Sequence, residues 1–354
     1  MVSAVKNGFV KDENTMCLFV LKMDRRRMLQ TTIAGATVGC TALTSLAASP
    51  SARLAGFSEE ENGSFQFCLN TGTIRGFNLT IEEQIDVAAA AGYSGLEPWV
   101  NDIRKHVDQG GTLEDLRNRA EDVGITFESA ITFPSWIADD PNARAEAIDR
   151  MRADMELVAG IGGTRIAAPP SGGTRERMTD LDAIAERYRA VLELGDETGV
   201  TPMLELWGFS QTLSRLGEVA YVVTQAAHPK ASLLLDAYHM YKGGNSFEGL
   251  AQLSGSAMSV FHINDYPADP PREQIGDADR VFPGDGVCPL GFILKTLYAT
   301  GFRGVLSLEL FNRGYWTDFE NAEACAATGL RKTKAVVEAA MAGLDLNAEG
   351  VASL

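Results

Sequence analysis

The 354-residue sequence has few cysteines, few histidines and a shortage of basic residues. Its five cysteines are widely spaced, and their odd number argues against a framework of structural disulfides. Lysine and arginine together number 31 against 47 aspartates and glutamates, so the formal net charge is −16. A surface this acidic repels polyphosphate backbones, which disfavours nucleic acid as a partner.

The N-terminal region also lacks a long apolar run. Residues 31–47 contain many Thr, Ser and Gly and fall short of the roughly 20 apolar residues that a membrane-spanning helix needs. Three arginines at 25–27, followed by Met-Leu-Gln, precede this stretch, and small residues follow it. The order resembles the twin-arginine signal of bacteria, so we expect an exported, periplasmic protein with no membrane span in its mature chain.

The signal also affects the expected division of the chain. Cleavage after Ala47 or Ala52 fits the small residues there. Lipid attachment at Cys40 is an alternative that Thr37 disfavours, and Met23 is an alternative start. Removal of the signal takes away a net charge of +3 and leaves −19. Three parts are expected: an N-terminal extension with signal peptide at 1–52, one domain at 64–343 and a tail at 344–354.

Short apolar runs alternate with helical patterns through the rest of the chain. The helical stretches carry apolar residues at helical spacing, and several open on Thr or Asp and close on Gly, which are typical helix caps. Alternation of this kind predicts a parallel sheet with right-handed crossovers. Eight strands are expected, at residues 65–70, 94–99, 126–131, 164–169, 202–207, 232–237, 259–264 and 305–310.

Eight repeats of strand and helix favour a closed (β/α)8 barrel, the TIM-barrel fold, as a single α/β domain. An open, doubly wound sheet is the alternative. No G-x-G-x-x-G follows the first expected strand, which counts against a dinucleotide-binding sheet. In a barrel, the residues that carry the chemistry stand at the carboxyl ends of the strands.

Titratable side chains stand at or near the ends of the last four expected strands. A carboxylate at the rim of a buried strand is costly unless it is paired, hydrogen-bonded or bound to a metal. Three carboxylates that meet at one mouth repel each other without a cation, and mixed oxygen and nitrogen ligands suit Mn²⁺, Mg²⁺, Co²⁺ or Zn²⁺. We therefore predict one divalent metal ion, bound by Glu205, Asp236, His262 and Glu309.

Over residues 64–340 the sequence resembles the xylose-isomerase-like family of sugar isomerases and epimerases. The resemblance rests on "LNTGTIRG" after the first strand, "GYSGLEPW" at the second, the four predicted ligands, the spacing of Asp236 and His239, and "DADRVFPGDGV" at 277–287. The last of these is most similar to inosose isomerases. The ligand set is shared with ketose 3-epimerases, hydroxypyruvate isomerases and inosose dehydratases.

The resemblance implies a metal-dependent isomerase or epimerase whose substrate is a small sugar or cyclitol, namely a ketose or a keto-inositol. The metal would polarise the substrate carbonyl and stabilise an enediolate, while one of Glu205 and Glu309 acts as the base and the other as the acid. It also implies that His239 donates a hydrogen bond to the substrate; the alternative is a histidine packed at the start of a helix. Further substrate-binding candidates near the expected mouth are Asn70, Arg75, Glu97, Trp207, Arg272 and Arg280.

Three alternative functions stay open. A lyase of the inosose dehydratase type begins with the same proton abstraction as an isomerase. A non-catalytic sugar-binding barrel is disfavoured by the intact pair of glutamates. An abasic-site endonuclease of the same family needs several more histidines than the four present, and the negative charge opposes DNA. A homo-oligomer is compatible with the sequence.

Overall fold

The computed structural model describes residues 65–342. The expected signal peptide and the expected C-terminal tail lie outside the described residues. Eight parallel strands form the sheet, and the first residue of each lies within two positions of the first residue of an expected strand. They are β1 (Gln66–Asn70), β2 (Gly95–Glu97), β3 (Thr126–Phe127), β4 (Arg165–Ala168), β5 (Thr201–Glu205), β6 (Ser232–Asp236), β7 (Met258–Ile263) and β8 (Val305–Leu308).

Helices connect the strands and cover the outside of the sheet. None of those in the described part of the chain is long and apolar enough to cross a bilayer. Short 3-10 turns occupy Thr71–Phe77, Phe247–Gln252, Gly255–Ala257 and Asp277–Asp279. The α-helices are α1 (Ile81–Ala91), α2 (Val100–Asp108), α3 (Leu113–Asp122), α4 (Pro141–Gly160), α5 (Leu181–Thr198), α6 (Leu216–Gln225), α7 (Ala237–Lys242), α8 (Leu290–Ala299), α9 (Tyr315–Asp318) and α10 (Ala322–Met341).

Local sequence explains where these helices begin and end. Thr80 and Thr112 start α1 and α3 with capping boxes, in which each threonine accepts a hydrogen bond from the backbone three residues on. Gly92 and Gly199 end α1 and α5 in the left-handed region, at φ +89° and +78°. A side chain is disfavoured in that conformation, so glycine sets the turn back toward the next strand.

The sheet runs in the order β3-β2-β1-β8-β7-β6-β5-β4, with all neighbours parallel. Between the segment that follows β3 and strand β4, the Ala167 amide donates to the Ala130 carbonyl at 2.8 Å. The expected TIM-barrel fold is confirmed. The third strand is shorter than expected because Pro98 has no N–H to donate. The ladder stops there and resumes at the bridge between Trp99 and Ile131.

The strand period of two divides the side chains of the barrel interior into layers. Apolar residues form a buried lower layer that includes Met203, Leu234 and Val260. Two residues further along the same strands stand Glu205, Asp236 and His262. The polar layer therefore lies over an apolar floor, where charges are poorly solvated.

A buried carboxylate outside the barrel interior ties α4 to the loop after β3. Asp154 is fully buried and accepts hydrogen bonds from Thr132, Arg104 and Arg150, the last at 2.9 Å. Both arginines are partly exposed, whereas the aspartate has no access to water. Its replacement leaves three donors without their acceptor.

We expect Asp154→Ala to lower the free energy of unfolding by about 2 kcal/mol, because a buried charge pair loses one member but its arginines still reach water. The matched control is Asp86→Ala, which removes an exposed partner of Arg119 and should cost at most about 1 kcal/mol. Urea denaturation measures both. Equal losses would contradict the anchoring role of Asp154.

Candidate active site

Three of the four predicted metal ligands come together at the mouth of the barrel. Single ligand atoms of Asp236, His262 and Glu309 all lie within 4.8 Å of one another. The aspartate ends β6, the histidine lies on β7, and the glutamate follows β8. All three side chains are buried. Two carboxylates and an imidazole on three adjacent strands form a donor set suited to a divalent cation.

His262 is held between carboxylates on both sides of its ring. Its Nε2 lies 2.9 Å from Oε2 of Glu97, and its Nδ1 lies 3.2 Å from Oε2 of Glu309. Burial opposes a charged imidazole, but the two glutamates outweigh it and raise the pKa of His262 well above its usual value. The position therefore favours a positive charge between the carboxylates.

Glu97 is itself fixed from two further strands. Its Oε2 accepts hydrogen bonds from Asn70 Nδ2 at 2.8 Å and from Ser307 Oγ at 2.7 Å. Asn70 also donates to Oε1 of Glu309 at 3.1 Å. Although burial works the other way, the charge of His262 lowers the pKa of Glu97. An ionised carboxylate behind a ligand histidine fixes its ring orientation and raises its basicity.

Asp236 has both carboxylate oxygens engaged. Oδ1 accepts the backbone N–H of His239 at 2.7 Å, which caps the start of α7. Oδ2 accepts Asn264 Nδ2 at 2.9 Å and Arg280 Nη1 at 3.1 Å. The cost of a charged residue at the end of a buried strand is thus offset by a helix cap, an amide and a guanidinium.

The guanidinium of Arg280 lies fully buried against the ligand set. Its Nη1 bridges Oδ2 of Asp236 and Oε2 of Glu309, the latter at 2.8 Å. Its Nη2 reaches Asp277. Burial lowers the pKa of Arg280, but these three carboxylates raise it above its ordinary value. The side chain therefore supplies a fixed positive charge within the site.

Arg280 also determines how His239 is presented. Its Nη2 lies 3.2 Å from Nε2 of His239, and because a guanidinium only donates, Nε2 must accept. Burial lowers the pKa of His239, and the charge of Arg280 lowers it further. The neutral ring then carries its proton on Nδ1, which is buried and has no hydrogen-bond partner. Other atoms of the His239 side chain line the cavity.

Glu205, the fourth predicted ligand, lies apart from the group of three. It ends β5, is buried, and lines the same cavity as Glu309 and His239. Burial raises the pKa of Glu205 to about 8, and Glu309 adds to this although His262 opposes it. By contrast, despite its burial, His262 and Arg280 lower the pKa of Glu309. Two carboxylates with opposite shifts face one cavity, as an acid and base pair requires.

The cavity above these residues has a volume of about 520 Å³, enough for a sugar or cyclitol. Its wall is largely aromatic, and neighbouring rings contact each other, with centroids 5.0 Å apart for Trp99 and Phe133. Such a wall excludes water and offers flat surfaces to a ring substrate. The aromatic side chains are Trp99, Phe133, Trp207, Phe209, Phe311 and Trp316.

The predicted substrate-binding residues take different places. Arg75, Trp207 and Arg280 line the cavity, whereas Asn70 and Glu97 lie beneath it and contact the predicted ligands. Arg272 is exposed, pairs with Glu273 and is not among the residues that line the cavity in the described part of the chain.

Sequence reasoning did not find Asn264, Ser307 or the role of Arg280 as a partner of the carboxylates. The alternation of strand residues was the available signal. Asn264 stands two residues after His262, and Ser307 two before Glu309, so both face the barrel interior. The carboxylate partners of Arg280 depend on how the long loop after β7 folds back, and no local sequence pattern predicts that.

The residues present fit a divalent metal. Neither ring nitrogen of His262 has a partner in hydrogen-bond geometry, although carboxylate oxygens lie close to both. That arrangement suits a ring nitrogen and carboxylate oxygens that bind the same cation through their lone pairs. Asp236, His262 and Glu309 would hold it, with Glu205, which lines the same cavity, as the further predicted ligand.

This geometry has counterparts among known proteins. Residues 85–336 match the model of the xylose isomerase-like TIM barrel family. The match covers well over half of the chain, so the protein belongs to this family.

Individual members of the family are similar to this chain in sequence or in structure. The chain is 26% identical over 277 residues to the inosose isomerase of Bacillus velezensis, covering 77% of this chain and 97% of that one. It is 24% identical over 241 residues to the 3-dehydroshikimate dehydratase of Pseudomonas putida, covering 67% of this chain and 37% of that longer enzyme. The solved structure of the IOLI protein with a zinc atom superposes with a TM-score of 0.72 at 23% identity, over 78% of this chain and all of that one.

We expect Glu97→Gln to weaken divalent metal binding by roughly 10- to 100-fold, because the amide cannot hold His262 as a carboxylate does. Titration calorimetry with Zn²⁺ or Mn²⁺ measures the affinity. Glu128→Gln is the matched control, since Glu128 is also a mostly buried glutamate but pairs with Arg165. Unchanged affinity in Glu97→Gln, or an equal loss in the control, would contradict this role.

Proposed function

We propose that this protein is a divalent-metal-dependent isomerase or epimerase of ketoses or keto-inositols that works by proton abstraction through an enediolate. The observation that carries the proposal is the placement of Glu205 and Glu309 on one cavity, beside the cluster of Asp236, His262 and Glu309. Likeness to inosose isomerases supports the substrate class. The zinc of the IOLI protein supports a divalent metal.

The chain's own residues divide the work as follows. One of the pair Glu205 and Glu309 removes the proton beside the substrate carbonyl as the base, and the other returns a proton to the neighbouring carbon or to the opposite face as the acid. A bound metal would polarise the carbonyl and offset the charge that develops on its oxygen. His239, which lines the cavity, donates a hydrogen bond to a substrate oxygen, and Arg280 lies against its ring.

The surroundings protect this chemistry. Aromatic walls keep bulk water from the substrate, so the charges of the site act at close range in a medium of low polarity. Arg280 offsets negative charge on Asp236 and Glu309 before substrate enters. Asn70 and Glu97 keep the ligand side chains in place.

A lyase on the same site is the second candidate. The likeness to a 3-dehydroshikimate dehydratase favours it, because loss of water also follows proton abstraction beside a carbonyl. The two activities differ in the fate of the substrate hydroxyl, not in the first step. Export to the periplasm by a twin-arginine signal remains part of this proposal.

We expect metal-loaded protein to catalyse deuterium exchange at a carbon next to the carbonyl of a ketose or keto-inositol in D₂O. Proton NMR identifies the substrate, and its products separate isomer, epimer and dehydrated compound. Glu205→Gln and Glu309→Gln should each lower the exchange rate by at least about 1000-fold. Glu186→Gln, which changes an exposed glutamate on α5, should leave the rate unchanged. Exchange that survives both site variants would refute the assigned roles.

Metal removal gives an independent check. Purified protein should contain about one divalent ion per chain by elemental analysis, because the donor set forms a single cluster. Chelation followed by gel filtration should abolish deuterium exchange, and added divalent metal should restore it. Full exchange activity in protein free of metal would rule out the metal-dependent mechanism.

A further inference from the structure

Two arginines at the mouth of the cavity have no acidic partner. Arg75 and Arg313 are exposed and line the cavity, and neither forms an ion pair within residues 65–342. Of the eighteen arginines in that range ten form ion pairs, and among the eight that do not, only Arg75 and Arg313 line the cavity. In a chain with 47 acidic residues, the lack of a partner at the mouth does not reflect a shortage of carboxylates.

The segments that carry these arginines are pinned together. Arg75 lies in the 3-10 turn after β1, and Arg313 lies between β8 and α9. Trp316 of α9 donates from Nε1 to the carbonyl of Thr73 at 3.0 Å. Its side chain also covers Gly76, where an added Cβ would lie 2.2 Å from the ring. The two arginines therefore share one side of the mouth.

Each guanidinium can still bind a ligand. The Cζ of Arg75 lies 4.0 Å from the centre of the Trp99 ring, so the ring supports one face and leaves the N–H edge free. Arg280, deeper in the cavity, is already bound by Asp236, Asp277 and Glu309. The positive charge at the mouth is thus separate from the charge within the site.

We propose that Arg75 and Arg313 form a carboxylate-binding subsite, and that the substrate is a keto sugar or keto cyclitol that bears a carboxylate. The planar fork of a guanidinium matches a carboxylate with two parallel hydrogen bonds. No lysine lines the cavity among the described residues, so the cavity lacks the ammonium groups that often bind phosphate. This inference rests on the proposed function, which places the substrate carbonyl at the inner carboxylates.

Calorimetric titration of the metal-loaded chain tests the subsite with three probes: 3-dehydroshikimate as the ring carboxylate, a keto-inositol as the neutral ring and fructose 6-phosphate as the phosphate. The carboxylate should bind at least about tenfold more tightly than the neutral ring. Arg75→Met and Arg313→Met should each weaken carboxylate binding by roughly tenfold and leave neutral binding within about twofold. Arg331→Met is the control, since it removes an exposed arginine of α10 outside the cavity.

The outcomes are distinct. Equal binding of carboxylate and neutral ring, a preference that survives the double variant, or tightest binding of the phosphate would each overturn the subsite. Deuterium exchange on the same probes is measured separately. If no probe exchanges but carboxylate binding depends on both arginines, the proposed function fails and the subsite stands. If the neutral ring exchanges without any carboxylate preference, the function stands and the subsite fails.

Discussion

The mouth of the barrel depends on how the negative charge of several buried carboxylates is offset. Glu97, Glu205, Asp236 and Glu309 are all buried at one end of the barrel, above an apolar layer. Carboxylates in such surroundings are tolerated only where positive charge and hydrogen-bond donors meet them. Imidazole, guanidinium and amide groups from several strands and one long loop supply these, and the divalent cation that we propose would complete the balance.

The requirement accounts for much of the architecture at the mouth. The segment after β7 must fold back far enough to place Arg280 between Asp236 and Glu309. Its return is fixed by the antiparallel bridge of Asp265 with Val281, and by backbone N–H groups that donate to the Asp265 carboxylate. The loop is thus held by its own hydrogen bonds. The buried guanidinium of Arg280 is therefore held in one position between Asp236 and Glu309.

Much of the fold could be read from the sequence because parallel strands buried on both faces are continuous apolar runs, and caps mark the helices between them. Strand-end residues such as Asp236 and His262 were predictable for the same reason. The burial of Glu97 behind His262 was not, since its partner lies on a distant strand. Nor was the separation of Glu205 from the other three ligands. Both depend on side-chain directions across the barrel, which spacing along the chain does not record.

The buried guanidinium of Arg280 affects the order in which the protein is assembled. Zinc fingers and similar small domains stay unfolded without their ion, because its binding supplies the free energy of folding. Here, Arg280 and His262 already neutralise part of the carboxylate charge. Folding therefore does not depend on an ion to offset all of this charge. An ion at the predicted site would have to compete with Arg280 for oxygens of Asp236 and Glu309.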